Sequence, residues 1–416
     1  MSQLKKIKVL DLRLGMFLHG FEGSWLKHPF WKSKFLLDDA TDLRAAHASG
    51  ILECWIDLAR GVDLAAPEPQ PQLAQFVAEA EPAPRVTFPE PLPVPPVSAS
   101  FDEEMRRAAK LCRDARDATV SMFNEARLGN AIDAQQCVPL VSAIAESMLR
   151  NPGALLSLAR LKTSDDYTYM HSVAVCALMV ALGRALGLDE QGCREAGLAG
   201  LLHDIGKATV PLSILNKPGK LTDAEFAAVK SHPLRGHELL VGGEAASAAV
   251  LDVCLHHHEK IDGSGYPHKL QGDDISLLAR MGAVCDVYDA ITSNRPYKSG
   301  WDPAESVARM ISWKGHFDQK VLSAFIKTLG IYPTGALVKM KTGRLAVVIE
   351  QNPALLTKPV VKVFFSTKSD TYIPVERIDL SKAHARDSIA GRESREKWNF
   401  IQIDELWAGE FAPRAN

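Results

Sequence analysis

The chain reads as mainly α, an all-helical body with a small α+β N-terminal domain before it and a small β-rich C-terminal appendage after it. Three observations lead there. Apolar residues keep a helical period through several segments from Leu155 to Gly330. From Ala336 to Asp379 the pattern changes to Val, Ile and Phe runs split by Thr-Gly, Asn-Pro and Lys-Ser-Asp turns, which is strand composition. Between Ala65 and Ser100 ten prolines mark an extended, semi-rigid linker that separates the N-terminal segment from the helical part.

N-terminal to the linker, Val9 to Gly61 suits a small mixed domain: Phe35 to Leu37 predicts a short strand, Thr41-Asp42 opens a helix that Gly50 ends, and Leu52 to Asp57 predicts a second strand. After the linker, Phe101 to about Arg127 is charged and amphipathic, and Ala134 to Arg150 carries apolar residues at helical spacing until Asn151-Pro152-Gly153 breaks it. These two helices are suited to pairing, within one subunit or between two, so a homodimer is compatible with them. The expected organisation is an accessory or regulatory domain over 1–64, the linker over 65–100, a helical connector over 101–150, the helical domain over 151–333 and the β-rich extension over 334–416.

With 416 residues, 46% apolar and 24% charged, the chain is expected to bury a sizeable core. A net charge of -2 gives no global positive field of the kind duplex DNA attracts, so phosphate chemistry here rests on local cations and a small nucleotide suits it better. Lys5, Lys6 and Lys8 are followed by no apolar signal region, and no run of about 18 apolar residues stands out, so the expectation is a cytoplasmic protein without a membrane span. Seven scattered cysteines without Cys-x-x-Cys spacing argue against a disulfide framework and against a structural zinc finger.

Chemistry concentrates in the helical part, where His171, His203-Asp204, His232, His256-His257-His258 and Asp286 fall within one domain's length. Fe(II) and Mn(II) accept mixed imidazole and carboxylate ligands, and a pair of such ions needs a bridging carboxylate with histidines from several helices. In Leu-Leu-His-Asp-Ile-Gly-Lys, Leu198, Leu201, Leu202 and Ile205 point inward, while His203 and Asp204 are neighbours about 100° apart around a helix that Gly206 lets end. Lys207, one turn after His203, is placed to project a cation over the same site. His257 and His258 end a helix that runs into the turn Asp262-Gly263-Ser264-Gly265-Tyr266-Pro267, whose glycines permit positive φ, and His256 lies on another face. Asp286 and Asp289 share one face of an otherwise apolar helix, where a charge needs a partner.

These residues resemble the HD-GYP domains, a subset of the HD metal-dependent phosphohydrolase superfamily. The resemblance runs from about Tyr167 to Pro333, through Tyr169-Met170-His171-Ser172, Leu201 to Lys207, Lys217-Pro218-Gly219-Lys220-Leu221-Thr222, His232-Pro233, His257-His258-Glu259 with Gly265-Tyr266-Pro267, and Asp286-Val287-Tyr288-Asp289-Ala290 with Arg295-Pro296-Tyr297. Any one of these motifs is weak, and all of them in this order are specific.

The resemblance implies an all-helical HD-type bundle and a cytoplasmic cyclic di-GMP phosphodiesterase holding two divalent metal ions, Fe or Mn. His171, His203, Asp204 and Asp286 would hold one ion, and Asp204, as the bridge, would hold the other with His232, His257 and His258. Asp204 and Lys207 would be catalytic, and Lys207, Gly265, Tyr266, Pro267, Arg295 and Lys298 would contact substrate. Some members carry a Glu four residues before the first histidine and a third ion; Tyr167 stands there in this chain, which favours two. The implied chemistry is in-line attack on phosphorus by a metal-activated water, giving pGpG and then, in part of the family, GMP.

Other readings stay open at this point: the same chemistry on another cyclic dinucleotide or nucleotide, or a weakly active module that docks diguanylate cyclase (GGDEF) domains through the Gly265-Tyr266-Pro267 loop. The N-terminal segment, with Leu14-Gly15-Met16, Ser24-Trp25-Leu26, His28-Pro29-Phe30 and Trp55-Ile56-Asp57, resembles a domain of unknown function often found ahead of HD-GYP domains. Trp25, Phe30 and Trp31 read as core or as a docking patch.

Overall fold

A computed structural model describes residues 4–21, 35–39, 43, 46–47, 53–61, 101–160, 167–217, 219–243, 246–293, 300–352, 355–398, 400 and 403–412. The chain divides into two compact units, Met1–Pro69 and Gln70–Asn416. The proline-rich stretch from 65 to 100, together with Trp25, Phe30 and Trp31, lies outside the described residues.

The first unit is an antiparallel sheet of β1 (Leu4–Lys8), β2 (Phe17–Phe21), β3 (Phe35–Leu36) and β4 (Glu53–Asp57), in the order β1-β4-β2-β3. β3 and β4 fall where the sequence predicts strands. β1 and β2 are additions, and Lys5, Lys6 and Lys8 are the reason the first was missed. Its single inward residue in the apolar register, Ile7, faces Cys54 across the ladder, and both are buried with Met16, Leu18, Leu37 and Ile56.

The second unit is a helical bundle followed by a sheet. Its helices are α1 (Phe101–Arg127), α2 (Val138–Arg150), α3 (Pro152–Arg160), α4 (Tyr167–Ala185), α5 (Glu190–Leu202), α6 (Leu212–Leu215), α7 (Asp223–Lys230), α8 (His232–Val241), α9 (Ala248–His256), α10 (Leu277–Thr292), α11 (Pro303–Ser312) and α12 (Gln319–Leu329). α1 and α2 spend their apolar faces inside this subunit: Met105, Ala108, Val141, Ile144 and Met148 pack with Val173, Cys176 and Val180 of α4. A buried Glu104 fastens the pair, accepting from Ser147 at 2.7 Å and from Arg150 at 2.8 Å.

α4 is apolar on nearly every side, the signature of a helix enclosed by others. Its Thr168–Ala185 stretch is long and apolar enough to cross a membrane, which corrects the reading that no such run exists, but 78% of it is buried within the bundle. Val175, Leu178, Met179 and Leu182 meet Ala199 and Leu202 of α5, Val253 of α9, Met281 and Val284 of α10, and Phe325 of α12. The charge-bearing residues of these same helices therefore share one interior.

The sheet contains β5 (Leu337–Met340), β6 (Arg344–Glu350), β7 (Val360–Ser366), β8 (Thr371–Asp379) and β9 (Ile389–Arg392), antiparallel in the order β8-β7-β6-β5-β9. β6 is buried on both faces. Leu345 and Val347 pack on Phe364, Phe365 and Trp407, while Ala346 and Val348 pack on Val338, Val361 and Val363. That double burial is why its sequence is a continuous apolar run rather than an alternation. A short helix, α13 (Glu405–Ala408), covers the first of these faces.

Candidate metal centre

Five elements deliver the functional side chains. α4 carries His171 near its first turn. α5, capped at its start by Asp189 accepting from Gly192, stops at Leu202, so His203 is the residue that closes the helix and Asp204 already lies outside it. The prediction that both sit within the helix and that Gly206 ends it is corrected here. A 3₁₀ turn, Ile205–Thr209, carries the chain onward. Gly206 is needed for closeness instead: a Cβ there would stand 1.9 Å from the His232 carbonyl oxygen and 2.5 Å from Gly236 N. Through that contact the turn bearing Asp204 and Lys207 is pressed against the first turn of α8, which begins with His232 and Pro233. His257 and His258 come directly after the last residue of α9, and Asp286 and Asp289 lie one turn apart on α10.

Two ligand sets result, His171, His203, Asp204 and Asp286, and Asp204, His232, His257 and His258, each with its donor atoms within 4.8 Å of one another. Asp204 Oδ2 stands 3.4 Å from His171 Nε2 and 3.3 Å from His203 Nε2, while Oδ1 stands 3.2 Å from His232 Nε2 and 3.7 Å from His257 Nε2. His171 Nε2 is 3.0 Å and His203 Nε2 3.8 Å from Asp286 Oδ1. His258 Nδ1 lies 3.7 Å from Asp286 Oδ2. Ligands about 2.1 Å from a common ion stand roughly 3 Å apart when adjacent and 4.2 Å when opposite, so these spacings suit octahedral coordination. One carboxylate thus serves both sets, one oxygen each.

The imidazoles are oriented before any ion arrives. His203 Nδ1 donates to Gly200 O at 2.7 Å, His232 Nδ1 to Val229 O at 2.7 Å, and His257 Nδ1 to Val253 O and Cys254 O, both at 3.1 Å. A carbonyl only accepts, so each Nδ1 carries a proton and each ring turns its Nε2 inward. His232 Nε2 and His257 Nε2 face each other at 3.2 Å, close enough to share one cation. His203 Nε2 and Asp204 Oδ1 are buried without a hydrogen-bond partner. His171 is held by a carboxylate, its Nδ1 2.6 Å from Asp289 Oδ2.

Electrostatics agree. Burial opposes ionisation of Asp204, but Lys207, His203 and His171 outweigh it and hold that carboxyl well below the usual range; the hydrogen bond from His171 does the same for Asp286 against its own burial. Burial, with His258, His203 and His232 crowding it, keeps His257 neutral far below the usual imidazole range, and burial lowers His258 to about 3. Burial also works against a charged His171, yet its bonds to Asp204, Asp286 and Asp289 raise it to about 10. Three carboxylates thus make the His171 side a cation-holding site, while the His257 side offers neutral lone pairs. The chemistry of the donor set fits divalent metal binding.

Among the other predicted residues, Lys207 is partly exposed and ion-pairs with Asp204 Oδ2. The loop with Gly265, Tyr266 and Pro267 folds over His258: the Tyr266 ring stacks on the imidazole at 4.7 Å, and its N–H donates to the His258 carbonyl. Gly263 has φ of +76°, as the turn reading requires, but Gly265 does not; a Cβ at Gly265 would stand 2.5 Å from Glu259 Cα, so close approach is what requires it. His256 is outside the cluster, paired with Asp252 at 2.7 Å and His268 at 2.9 Å. Arg295 and Lys298 lie outside the described residues, and Tyr167 opens α4 without a described side chain. All seven cysteines are free thiols, Cys285 among them and buried. Sequence reasoning placed Asp289 on the face of Asp286 but gave it no role; the usable signal was a second acid on an apolar helix.

Comparison with known proteins adds to this geometry. Residues 144–321 match the HD domain family, and residues 4–137 match a domain of unknown function (DUF3391). The chain is 55% identical over 409 residues to a protein of Pseudomonas aeruginosa named cyclic di-GMP phosphodiesterase, covering 98% of this chain and 96% of that one. It is 39% identical over 179 residues to the cyclic di-GMP phosphodiesterase response regulator RpfG of Xanthomonas campestris, covering 41% of this chain and 47% of that one. Among solved structures, an HD-GYP-type protein of Bdellovibrio bacteriovorus superposes with a TM-score of 0.46 at 18% identity, covering 78% of this chain and 98% of that one.

Proposed function

The chain belongs to the HD-GYP family of HD-domain proteins, and from that premise we infer that it hydrolyses cyclic di-GMP. The first product in this reading is linear pGpG, with a second cut to GMP open to the same site. The observation that carries it is the division of labour at Asp204, whose two oxygens face two complete ligand sets. We assign two divalent ions, Fe or Mn, to those sets: mixed imidazole and carboxylate donors suit both. Such ions, when bound, polarise phosphoryl oxygens and lower the pKa of water.

The chain's own groups do the rest. Asp204 fixes the spacing of the two sets. The carbonyl-anchored rings of His203, His232 and His257 point their Nε2 atoms inward without reorganisation. Lys207, anchored at Asp204, places an ammonium where charge gathers on phosphorus and supplies a proton source for the departing 3′ oxygen as the P–O bond breaks and the bond to water oxygen forms. Burial pushes the Tyr266 phenol far up, so it is a hydrogen-bond donor throughout the working range, above His258 and facing the cluster. Gly265 and Pro267 shape that loop, and Arg295 and Lys298 add substrate-binding cations.

The test is purification without chelators under anaerobic conditions, metal analysis, and incubation with cyclic di-GMP plus Mn(II) or Fe(II), products being separated by chromatography. Wild type carries about two ions per chain and yields pGpG or GMP. Asp204→Ala loses bound metal and turnover while circular dichroism stays helical; turnover that survives this change overturns the assignment.

A further inference from the structure

Beside the centre stands a short file of side chains that the hydrolytic chemistry uses only at its inner end. Phe226, on α7, is 52% exposed. Lys230, one turn on, stands with its Nζ 5.2 Å from the Phe226 centroid and 4.7 Å from that of Tyr266, whose ring in turn stacks on His258 at 4.7 Å. Phe226, Lys230, Tyr266 and His258 thus run continuously from solvent to the ligand cluster. The helix that carries the outer two is fixed firmly: Thr222 and Glu225 make a reciprocal capping box, and Lys217 reaches Glu225 at 2.7 Å. Among the described residues Lys230 has no carboxylate partner, so its ammonium is held only against two aromatic faces.

We propose that Phe226 and Lys230 form a guanine-base subsite, Phe226 as the stacking platform and Lys230 as the donor to the base edge. The proposal rests on the phosphodiesterase reading and names where one base of that substrate goes. The file reaches the cluster at His258, which shares a set with Asp204, so a nucleotide held there by its phosphate has this file within reach of its base. Every base has a π face for Phe226, which gives affinity without choice. The choice comes from Lys230: guanine offers O6 and N7 as paired acceptors, whereas adenine puts an amino donor in the O6 position, which repels an ammonium. A protein-docking patch would instead need a wider apolar area than one phenyl ring.

The experiment measures, on the full chain, GMP affinity by calorimetry and steady-state hydrolysis of cyclic di-GMP and cyclic di-AMP with Mn(II). Phe226→Ala weakens GMP binding and raises KM for cyclic di-GMP by about 5- to 150-fold, the range expected for one stacked base, with a much smaller change in kcat. Phe226→Trp restores both. Lys230→Ala raises KM for cyclic di-GMP more than for cyclic di-AMP. If Phe226→Ala leaves GMP affinity and KM as in wild type, the subsite is overturned even though hydrolysis proceeds. If wild type leaves cyclic di-GMP uncut but Phe226→Ala still loses GMP, the subsite stands and the phosphodiesterase reading fails. Phe226 is exposed, and circular dichroism of both variants verifies that α7 and the bundle are intact.

Discussion

His171 differs from the other buried histidines of the cluster in what holds it: a carboxylate, Asp289, where His203, His232 and His257 use backbone carbonyls. A carboxylate raises the basicity of the far nitrogen as well as fixing the ring. Asp289→Asn keeps a similar shape and removes the charge, so ion affinity at the His171 side is expected to fall about 10- to 100-fold, read by competition with a graded chelator while far-ultraviolet dichroism stays constant. Unchanged affinity would reduce Asp289 to a packing residue. The residues that gather in the two clusters were legible in the sequence because histidines on apolar segments are scarce and these came in motifs. The bond from His171 to Asp289 was not legible, since it closes only when α4 and α10 meet. The cysteines give a second check at this scale. Burial, with Asp133 nearby, pushes the Cys137 thiol up to about 11, so at pH 8 only about one molecule in a thousand carries the reactive thiolate. Iodoacetamide at pH 8 should leave Cys137 unlabelled in the folded protein and label it in urea, as read by mass spectrometry; reactivity should rise only as pH climbs towards 11.

Among the elements, the junction of α5 with the 3₁₀ turn decides where Asp204 points. Periodicity turned Leu198, Leu201 and Leu202 inward on this helix, but it carried the helix to Gly206 because glycine is an ordinary helix terminator. The glycine in fact answers a neighbour. The His232 carbonyl oxygen and Gly236 N sit where its Cβ would be, and no local pattern in the sequence announces an element that arrives 26 residues later. Likewise β1 was hidden by its lysines. Gly206→Ala forces the turn away from α8, with a destabilisation of roughly 1–3 kcal/mol as for an overpacked core. It should also part Asp204 from His232, so metal content at the second set falls along with the midpoint of urea unfolding. A variant that unfolds earlier yet keeps two ions would separate the packing role from the positioning one.

Across the whole molecule, the candidate ligands come from the segment between His171 and Asp286, so the cluster ties together α4, α5, α8, α9 and α10 around the core they already share. Its interior is costly without an ion: the carboxylates of Asp204, Asp286 and Asp289 are buried together, and His232 Nε2 and His257 Nε2 meet at 3.2 Å. An ion that binds only the folded bundle adds its binding free energy to folding, about 2.7 kcal/mol when present at a hundred times its dissociation constant. For a unit of this size that corresponds to a rise in Tm of roughly 4 °C. Calorimetry of the chelator-treated chain should therefore show the helical transition moving up as Mn(II) is added. The same titration on Asp204→Ala should move it little, because the shared carboxylate is gone from both sets at once. A wild-type transition indifferent to Mn(II) and Fe(II) would mean that the cluster is satisfied by protons alone, and a shift that survives in Asp204→Ala would place the ion elsewhere in the chain.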